Sequence, residues 1–234
     1  MISIEFKEYT KILDLYKGQI VGLFGKNGSG KTTLLKQIMG ITPYANHLSK
    51  HEVDGKSFSY ESLSDMIYIT DGQSLYEDLT ATEHRRFYKD FYKSFNDERF
   101  DKLMELFELE DDNPIKNFSK GQRSKLELVL GFSVGVKYIM MDEPFLGNDP
   151  FARNDFLKIM AGLIDEDCIL VIATHYLEEI ENFIDRAVFM DEYKIVKDIS
   201  MDEIADNGGS LIDMAKEIFG VDDNRVISLF FNEN

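Results

Sequence analysis

The chain contains 234 residues, and 44% of them are hydrophobic, which is enough for the core of one large α/β domain without a disulfide or a structural metal. Its 26 basic residues are outnumbered by 43 acidic ones, and the net charge of −17 argues against nucleic-acid binding and against direct adsorption to an anionic membrane. A basic protein partner, such as the cytoplasmic loops of a membrane protein, suits this charge better. We therefore expect protein partners and no nucleic acid.

Three features favour a soluble protein of the cytoplasm. Ile2–Phe6 alternates apolar and polar residues like a strand and lacks the basic and apolar segments of a signal peptide. No apolar stretch approaches the ~20 residues that cross a bilayer. The single cysteine, Cys168, borders an apolar run, which predicts a buried, reduced thiol.

A strand, a glycine-rich loop and a helix are predicted near the start of the chain. Ile20–Phe24 is an apolar run typical of a buried strand, and residues 32–39 are helical in pattern. Between them GKNGSGKT fits G-x-x-x-x-G-K-[ST], whose backbone N–H groups cradle phosphates at a helix N-terminus. Lys31 would reach the β- and γ-phosphates, and the Thr32 hydroxyl would hold Mg²⁺. The residues expected at the nucleotide are Gly25, Asn27, Gly28, Ser29, Gly30, Lys31, Thr32 and Thr33.

Residues 82–130 form a highly charged segment with helical periodicity. Phe87, Phe91 and Phe95 are spaced at i, i+4 and i+8, with Tyr88 and Tyr92 beside them, so we expect one helix with an aromatic stripe. Packing of these rings in the core of a helical subdomain is the favoured interpretation. A groove for a partner's helix is the alternative.

A second candidate anion site lies within this segment. Phe118–Gln122 precedes an amphipathic helix, and Ser119 is a good N-cap, which alone could explain it. A Ser-x-Gly turn at a helix N-terminus also binds anions. Because this turn is far along the chain from the phosphate loop, we expect it to serve a different nucleotide.

Two further apolar runs, Tyr138–Met141 and Ile169–Ala173, are predicted to be parallel strands buried on both faces. Asp142 follows the first run and suits a role as a ligand of hydrated Mg²⁺. Glu143 would face the γ-phosphate and accept a proton from the attacking water. His175 follows the second run and is either a satisfied surface histidine or a hydrogen-bond partner of the γ-phosphate or the water. Ligands bind at the carboxyl ends of such strands.

Together these motifs resemble the nucleotide-binding subunit of an ATP-binding cassette (ABC) ATPase over nearly the whole chain. The phosphate loop, the signature-like FSKGQ, the YIMMDEP strand and His175 occur in the family's order and approximate spacing. The resemblance implies an α/β phosphate-loop NTPase core with a mostly parallel sheet, antiparallel N-terminal strands and an inserted helical subdomain. The core would span about 1–80 and 135–200, the helical subdomain about 81–134, and an acidic tail, with a helix around 211–219, about 201–234.

The resemblance also implies a head-to-tail dimer with itself or with a similar ABC subunit. In that dimer the signature residues of one protomer would close over ATP held by the other, and these residues are Ser119, Lys120, Gly121 and Gln122. Asp149 falls where the family places its interface D-loop. Lys120 stands where the family has a glycine, a form similar to that of exporter-type members.

Two expected positions depart from the family's pattern. Asp71 stands at the place of the Q-loop glutamine and could coordinate Mg²⁺, with Gln73 as a possible substitute. The segment before the phosphate loop is short, so Tyr9 is assigned to adenine stacking, with Tyr16 or Phe6 as alternatives.

The sequence thus predicts an ATP-hydrolysing motor that powers a membrane transporter, with export favoured. A separate polypeptide would form the transmembrane permease, and through it the subunit would sit on the inner face of the membrane. One alternative is a cytoplasmic ABC ATPase of an assembly complex, such as iron–sulfur cluster biogenesis. Another is an ATP-binding regulatory switch, against which Glu143 and His175 argue.

Overall fold

The computed structural model describes residues 1–6, 9–42, 48–144 and 150–220, with the backbone alone at residues 9–11, 150–156 and 179. The strands, in chain order, are β1 (Ile2–Phe6), β2 (Tyr9–Leu15), β3 (Ile20–Phe24), β4 (Leu48–Val53), β5 (Lys56–Ser57), β6 (Met66–Ile69), β7 (Tyr138–Asp142), β8 (Ile169–Ala173), β9 (Arg186–Asp191) and β10 (Lys194–Ser200). The helices are α1 (Lys31–Ile38), α2 (Ala81–Phe91), α3 (Asp97–Leu106), α4 (Lys120–Ser133), α5 (Pro150–Leu163), α6 (Leu177–Ile180), α7 (Met201–Asp206) and α8 (Leu211–Phe219).

The strands form two sheets. The larger has the order β10-β9-β3-β8-β7-β6, and four of its five pairings are parallel, the exception being the antiparallel β9–β10 hairpin at one edge. The smaller has the order β2-β1-β4-β5 and is antiparallel. This mixed architecture confirms the predicted α/β class with antiparallel N-terminal strands, and the predicted bounds of β3 and β8 match the observed ones.

The central strands are apolar along their whole length because both faces of the larger sheet are covered. Successive residues of a strand point to opposite faces. Ile139 and Met141 of β7 join a core with α4 and the C-terminal helices, whereas Tyr138 and Met140 join a core with α1 and the smaller sheet. Cys168 lies buried just before β8, and burial raises the pKa of its thiol to about 12, as expected for an inert core cysteine.

The helical segment corrects the prediction of a single aromatic stripe. Helix α2 ends at Phe91, and Tyr92 takes an extended conformation, so Phe95 lies beyond the helix. Asn96 then caps α3 by accepting a hydrogen bond from the backbone N–H of Arg99. Tyr88, Tyr92 and Phe95 pack against the core, while Phe87 and Phe91 remain exposed. Because Asn96 starts a new helix, the helical spacing of the aromatic residues does not continue from Phe91 to Phe95.

Residues 201–219, which lie within the predicted acidic tail, are packed against the rest of the domain. They form α7 and α8, and the buried side chains of Ile204, Leu211, Ala215 and Phe219 join the core on one face of the larger sheet. The i, i+4, i+8 spacing in α8 supplies this apolar stripe, and the predicted helix around 211–219 is confirmed. Among the residues that the structure describes, no helix is long and apolar enough to cross a membrane.

Candidate functional site

The parallel strands β3, β7 and β8 end at one edge of the larger sheet, which we call the carboxyl edge. The phosphate loop follows β3. Asp142 is the last residue of β7 and Glu143 comes directly after it, while Thr174 and His175 follow β8. The backbone N–H of Glu143 donates to the carbonyl oxygen of Ala173 at 2.8 Å, which ties two of these strand ends together. The fold therefore collects the chemical groups of three distant segments.

The phosphate loop has the backbone of an anion cradle. Gly28 and Gly30 have φ values of 80° and 104°, a conformation that favours glycine, and Gly30 is the N-cap of α1. The loop closes on itself where the Ser29 N–H donates to the Lys26 carbonyl oxygen at 3.0 Å. The free N–H groups of the first turn of α1, with the helix dipole behind them, suit a phosphate. Asn27 and Thr32 are exposed and Thr33 is half-buried along this segment.

The ammonium group of Lys31 lies over the loop. Its side chain is only 7% exposed, and Nζ donates to the carbonyl oxygen of Gly25 at 2.8 Å and approaches that of Lys26 at 3.4 Å. Burial lowers the pKa of Lys31, and the carboxylates of Glu143 and Asp142 oppose this shift. The two acidic groups are thus close enough to act on Lys31, which is the arrangement expected for a triphosphate with its cation.

Asp142 is oriented by an aromatic hydroxyl from the adjacent strand. Tyr68 of β6 donates its O–H to Oδ2 of Asp142 at 2.7 Å. Burial, with the charge of Asp142, raises the pKa of Tyr68, so its hydroxyl stays a proton donor. Sequence reasoning missed Tyr68, although a tyrosine in an apolar strand next to the acidic strand was a usable signal.

Glu143 and His175 form a close pair at the ends of β7 and β8. Nδ1 of His175 lies 2.8 Å from Oε2 of Glu143, at the distance of an ion pair but without the angles of a hydrogen bond. Glu143 has a φ of 49°, an uncommon conformation that turns it away from the strand. The carboxylate is 20% exposed and the imidazole 14%, so both are shielded from bulk water.

Three buried oxygens at the carboxyl edge accept no hydrogen bond from the part of the chain that the structure describes. They are Ser29 Oγ, Asp142 Oδ1 and Glu143 Oε2. Buried polar atoms are rarely left unpaired, and such atoms often mark a ligand position. Hard oxygens from hydroxyl and carboxylate groups are what Mg²⁺ binds, with one or two carboxylates and substrate phosphates completing the shell. The residues at this edge therefore fit a nucleoside triphosphate with Mg²⁺.

The signature segment starts α4 and is held by local hydrogen bonds. Ser119 Oγ accepts from the Gln122 N–H at 3.2 Å, and Gln122 Oε1 accepts from the Ser119 N–H at 2.9 Å, so the N-cap interpretation of Ser119 is confirmed. Ser119 and Lys120 are exposed, and Gly121 is half-buried. Lys120 Nζ lies 3.2 Å from Oδ2 of the buried Asp71. In this structure Asp71 therefore pairs with the signature, and its binding of Mg²⁺ stays a prediction.

A buried glutamate behind this segment was missed by sequence reasoning. Glu127 of α4 is 1% exposed, and its carboxylate accepts hydrogen bonds from the N–H groups of Thr70 and Gly72 at 2.8 and 2.6 Å and from the hydroxyls of Thr70 and Ser74 at 2.9 and 2.6 Å. These contacts fix the residues around Asp71 to α4. The signal was a lone acid inside the apolar run Leu126–Leu130.

Two predicted positions cannot be placed. The side chain of Tyr9 and all of Asp149 lie outside the described residues, so adenine stacking and the D-loop contact stay predictions. Tyr16, the alternative to Tyr9, is 46% exposed. The structure thus brings together the phosphate loop, Asp142, Glu143 and His175, while the described contacts of the signature are with Asp71 and its neighbours.

Comparison with known proteins gives consistent matches. A family model described as "ABC transporter" matches residues 11–146. The ABC-type transporter ATP-binding protein EcsA of Bacillus subtilis (strain 168) is 32% identical over 186 residues, 75% of this chain and 74% of EcsA. The uncharacterized ABC transporter ATP-binding protein YdbJ of the same organism is 28% identical over 193 residues, 81% of this chain but only 63% of YdbJ.

Solved structures share the fold. The structure described as an ATP binding subunit of an ABC transporter superposes with a TM-score of 0.81 at 24% identity, covering 94% of this chain and 99% of that one. The ATP-binding cassette MJ0796, described as a dimer in a post-hydrolysis state bound to ADP and Pi, has a TM-score of 0.71 at 18% identity, with 86% of this chain and 99% of that one covered.

Proposed function

This chain is a nucleotide-binding ATPase subunit of the ABC transporter family, and we propose that it powers export through a separate membrane-spanning subunit. The observation that carries the proposal is the meeting of Lys31, Asp142, Glu143 and His175 at one edge of the sheet. A binding-only switch does not need a shielded carboxylate next to a histidine. Export is supported by the similarity of the FSKGQR and HYLEE segments to exporter-type members.

The proposed reaction is hydrolysis of the terminal phosphoanhydride of ATP. A water oxygen attacks the γ-phosphorus, the bond from that phosphorus to the β,γ-bridging oxygen breaks, and ADP and phosphate leave. Glu143 accepts the proton of the attacking water. Lys31 and the loop N–H groups stabilise the negative charge on the phosphoryl oxygens. His175 lies 2.8 Å from Glu143 and holds that carboxylate, and it would also donate a hydrogen bond to the same phosphoryl group.

Thr32 and Asp142 would hold Mg²⁺, which when bound neutralises phosphate charge. Tyr68 orients Asp142 through one oxygen and leaves Oδ1 for the hydrated cation. Both residues lie at the carboxyl edge, one on the first turn of α1 and one at the end of β7.

We place a second copy of the chain, or a similar ABC subunit, over the bound ATP. Exposure of Ser119 and Lys120 at the N-terminus of α4 supports this proposal, because an anion site at the surface can reach a neighbouring protomer. The D-loop residue Asp149 would lie in the same interface.

The permease is proposed to contact the exposed aromatic side chains of the helical segment. Tyr76, Phe87 and Phe91 are each more than half exposed, and Tyr76 and Phe87 form an edge-to-face pair 6.0 Å apart. Glu77 and Asp78 follow in sequence and are exposed. An apolar patch beside acidic groups suits a helical segment with basic residues, as found in cytoplasmic loops of membrane proteins. Through this contact the subunit would sit on the cytoplasmic face of the membrane.

The catalytic and dimer proposals are tested together with Glu143→Gln. The amide keeps the shape of the side chain but cannot take the proton, so hydrolysis should fall by about 10²–10⁴ while ATP affinity is kept. The slow variant should be a dimer in ATP and a monomer in ADP by light scattering. A variant that hydrolyses ATP at the parent rate, or that stays monomeric in saturating ATP, would contradict the proposal.

A second substitution distinguishes an effect on the dimer interface from an effect on the folding of the monomer. Adding Ser119→Arg to Glu143→Gln should abolish the ATP-dependent dimer and leave ATP binding by the monomer intact. Ser210→Arg is the matched control, because Ser210 is also an N-cap with a capping box, on α8. It should leave the dimer unchanged. Loss of the dimer in both variants would show that cap disruption, not the interface, is responsible.

Transport itself needs the membrane subunit. If a neighbouring gene encodes an integral membrane protein, reconstituting that protein with this subunit in liposomes should raise the ATPase activity. Phe87→Ser with Phe91→Ser should remove the stimulation but not the basal rate. Stimulation by a soluble assembly partner instead would favour the cytoplasmic alternative.

A further inference from the structure

The hairpin between β9 and β10 contains an unusual turn. Lys194 pairs with Asp191, so Glu192 and Tyr193 form a two-residue loop, and their φ values are 46° and 65°. Both values lie in the left-handed region, as the favoured turn of a two-residue hairpin requires. Gly is common there because it has no Cβ, and Asn because its short polar side chain can hydrogen-bond locally, whereas larger side chains are disfavoured. A bulky tyrosine in this conformation indicates that its side chain serves another purpose.

Tyr193 lies directly on the phosphate loop. Its backbone N–H donates to the carbonyl oxygen of Ser29 at 2.8 Å. A Cβ atom built on Gly30 would lie 2.7 Å from Cδ1 and 3.2 Å from Cγ of Tyr193, closer than packed carbons approach. The tyrosine ring therefore fills the space beside Gly30. With 47% of its surface exposed, it reaches from the loop to solvent.

The hairpin also supports the other end of the loop. A Cβ built on Gly25 would lie 2.4 Å from the carbonyl oxygen of Met190, at the end of β9. The first and last glycines of the loop are thus both backed by one hairpin. Gly30 is the N-cap of α1 with a φ of 104°, so the orientation of the following N–H groups depends on how this residue is held.

We propose that Tyr193 is a positioning residue for the triphosphate, which it serves by holding Ser29 and Gly30 in the cradle conformation. The inference rests on the proposed ATP site and adds to it a residue outside the loop. The hydrogen bond from the Tyr193 N–H fixes the carbonyl group of Ser29, and the Tyr193 ring prevents rotation of the backbone at Gly30. A loop held in its binding conformation before ATP arrives loses less entropy on binding.

The test substitutes Tyr193 with Gly, which relaxes the turn, keeps its N–H and removes the ring. The melting temperature should stay the same or rise. The Kd for ATP, measured by titration calorimetry, should rise about tenfold through lost preorganisation. Tyr193→Phe should keep the parent affinity. A merely structural turn would give a rise in melting temperature with unchanged affinity, and that result would overturn the proposal.

Glu192→Gly is the matched control. It relaxes the other left-handed residue of the same turn and leaves the ring in place, so the melting temperature should not fall and the Kd should stay within about twofold of the parent. A tenfold weakening in this variant as well would assign the effect to turn flexibility and overturn the role of the ring.

Amide hydrogen exchange without nucleotide separates this proposal from the ATP site itself. Tyr193→Gly should speed exchange in the peptide covering residues 25–33, whereas Glu192→Gly should not. If the parent protein binds no ATP but the two variants still differ in exchange, the proposed ATP site is wrong while the positioning of the loop by Tyr193 is supported. Unchanged exchange together with unchanged affinity would reject the proposal.

Discussion

The polar groups of two regions differ in how they are hydrogen-bonded: those of the carboxyl edge, and those of the signature side, by which we mean α4 together with residues 70–84. At the carboxyl edge Ser29 Oγ, Asp142 Oδ1 and Glu143 Oε2 are buried without a hydrogen bond from the described chain. On the signature side the carboxylate of Glu127 accepts four donor groups, and Ser119 shares a capping box with Gln122. In the first region Ser29 Oγ and Asp142 Oδ1 have no polar partner among the described residues, as expected of a ligand site, whereas the second region uses its polar atoms to hold the fold.

This contrast has a measurable consequence. Substitutions at the carboxyl edge should reduce ligand binding with little loss of stability, because the groups removed stabilise little in the folded chain. Substitutions on the signature side should reduce stability, because they leave backbone donors unpaired. The following predictions test the two halves of this comparison, from the largest expected effect to the smallest.

Lys31→Ala should nearly abolish ATP binding. In the proposed site the buried ammonium would be the fixed positive charge next to the β- and γ-phosphates, so we expect a loss of about 100-fold or more in affinity, roughly 3 kcal/mol. The melting temperature should not fall, because burial already disfavours the charged form of Lys31. Titration calorimetry and thermal unfolding measure the two effects. Lys36→Ala, on the last turn of the same helix, is the control, and near-parent affinity of Lys31→Ala would remove the basis of the proposed site.

Glu127→Ala should destabilise the protein by about 3 kcal/mol, since the N–H groups of Thr70 and Gly72 would lose their acceptor inside the protein. Denaturant unfolding measures this change. Glu98→Ala is the matched control, because Glu98 lies on α3 with 79% of its side chain exposed and should change stability by less than about 0.5 kcal/mol. Equal effects of the two substitutions would show that the network around Glu127 does not hold the fold.

The buried His84, on the same side of the molecule, should cause a smaller loss of stability that depends on pH. It is 1% exposed, its Nε2 accepts from the Tyr76 N–H at 2.9 Å, and Nδ1 lies 2.9 Å from the Thr80 carbonyl oxygen, so the ring is neutral with its proton on Nδ1. Burial lowers the pKa of His84, with Thr80 and Glu83 opposing. Its neutral form therefore stabilises the fold fully above the ordinary histidine pKa, and this contribution is lost as the pH falls towards the lowered value.

Urea unfolding between pH 7 and 5 should show this loss, at up to about 1.4 kcal/mol per pH unit below the ordinary pKa. His84→Gln offers an acceptor that does not titrate and should reduce the loss. His51, whose pKa burial lowers to about 4, contributes in the same direction and is unchanged in both proteins. An identical pH profile for the parent and His84→Gln would mean that His84 is not the titrating group.

Local motifs made much of this molecule predictable. The bounds of β3 and β8, the turn into α1 and the C-terminal helix α8 follow from short-range patterns of apolar residues and glycines. The shared position of Asp142, Glu143 and His175 also followed, because carboxyl ends of parallel strands meet at one edge. The prediction of one aromatic stripe was wrong at Phe95, because Asn96 caps a new helix there. The prediction gave more weight to the spacing of the aromatic residues than to this capping asparagine.

The amino-acid sequence by itself determined the strands β3, β7 and β8, the phosphate loop and the strand ends that carry the acidic groups, because each depends on neighbours a few residues away. Only the tertiary structure decided the contacts between distant segments. Glu127 meets Thr70 across 57 positions, Asp71 pairs with Lys120, and Tyr193 lies on Gly30. Such contacts depend on how helices and sheets pack, and a single side chain in a sequence carries no record of the partner that packing brings to it.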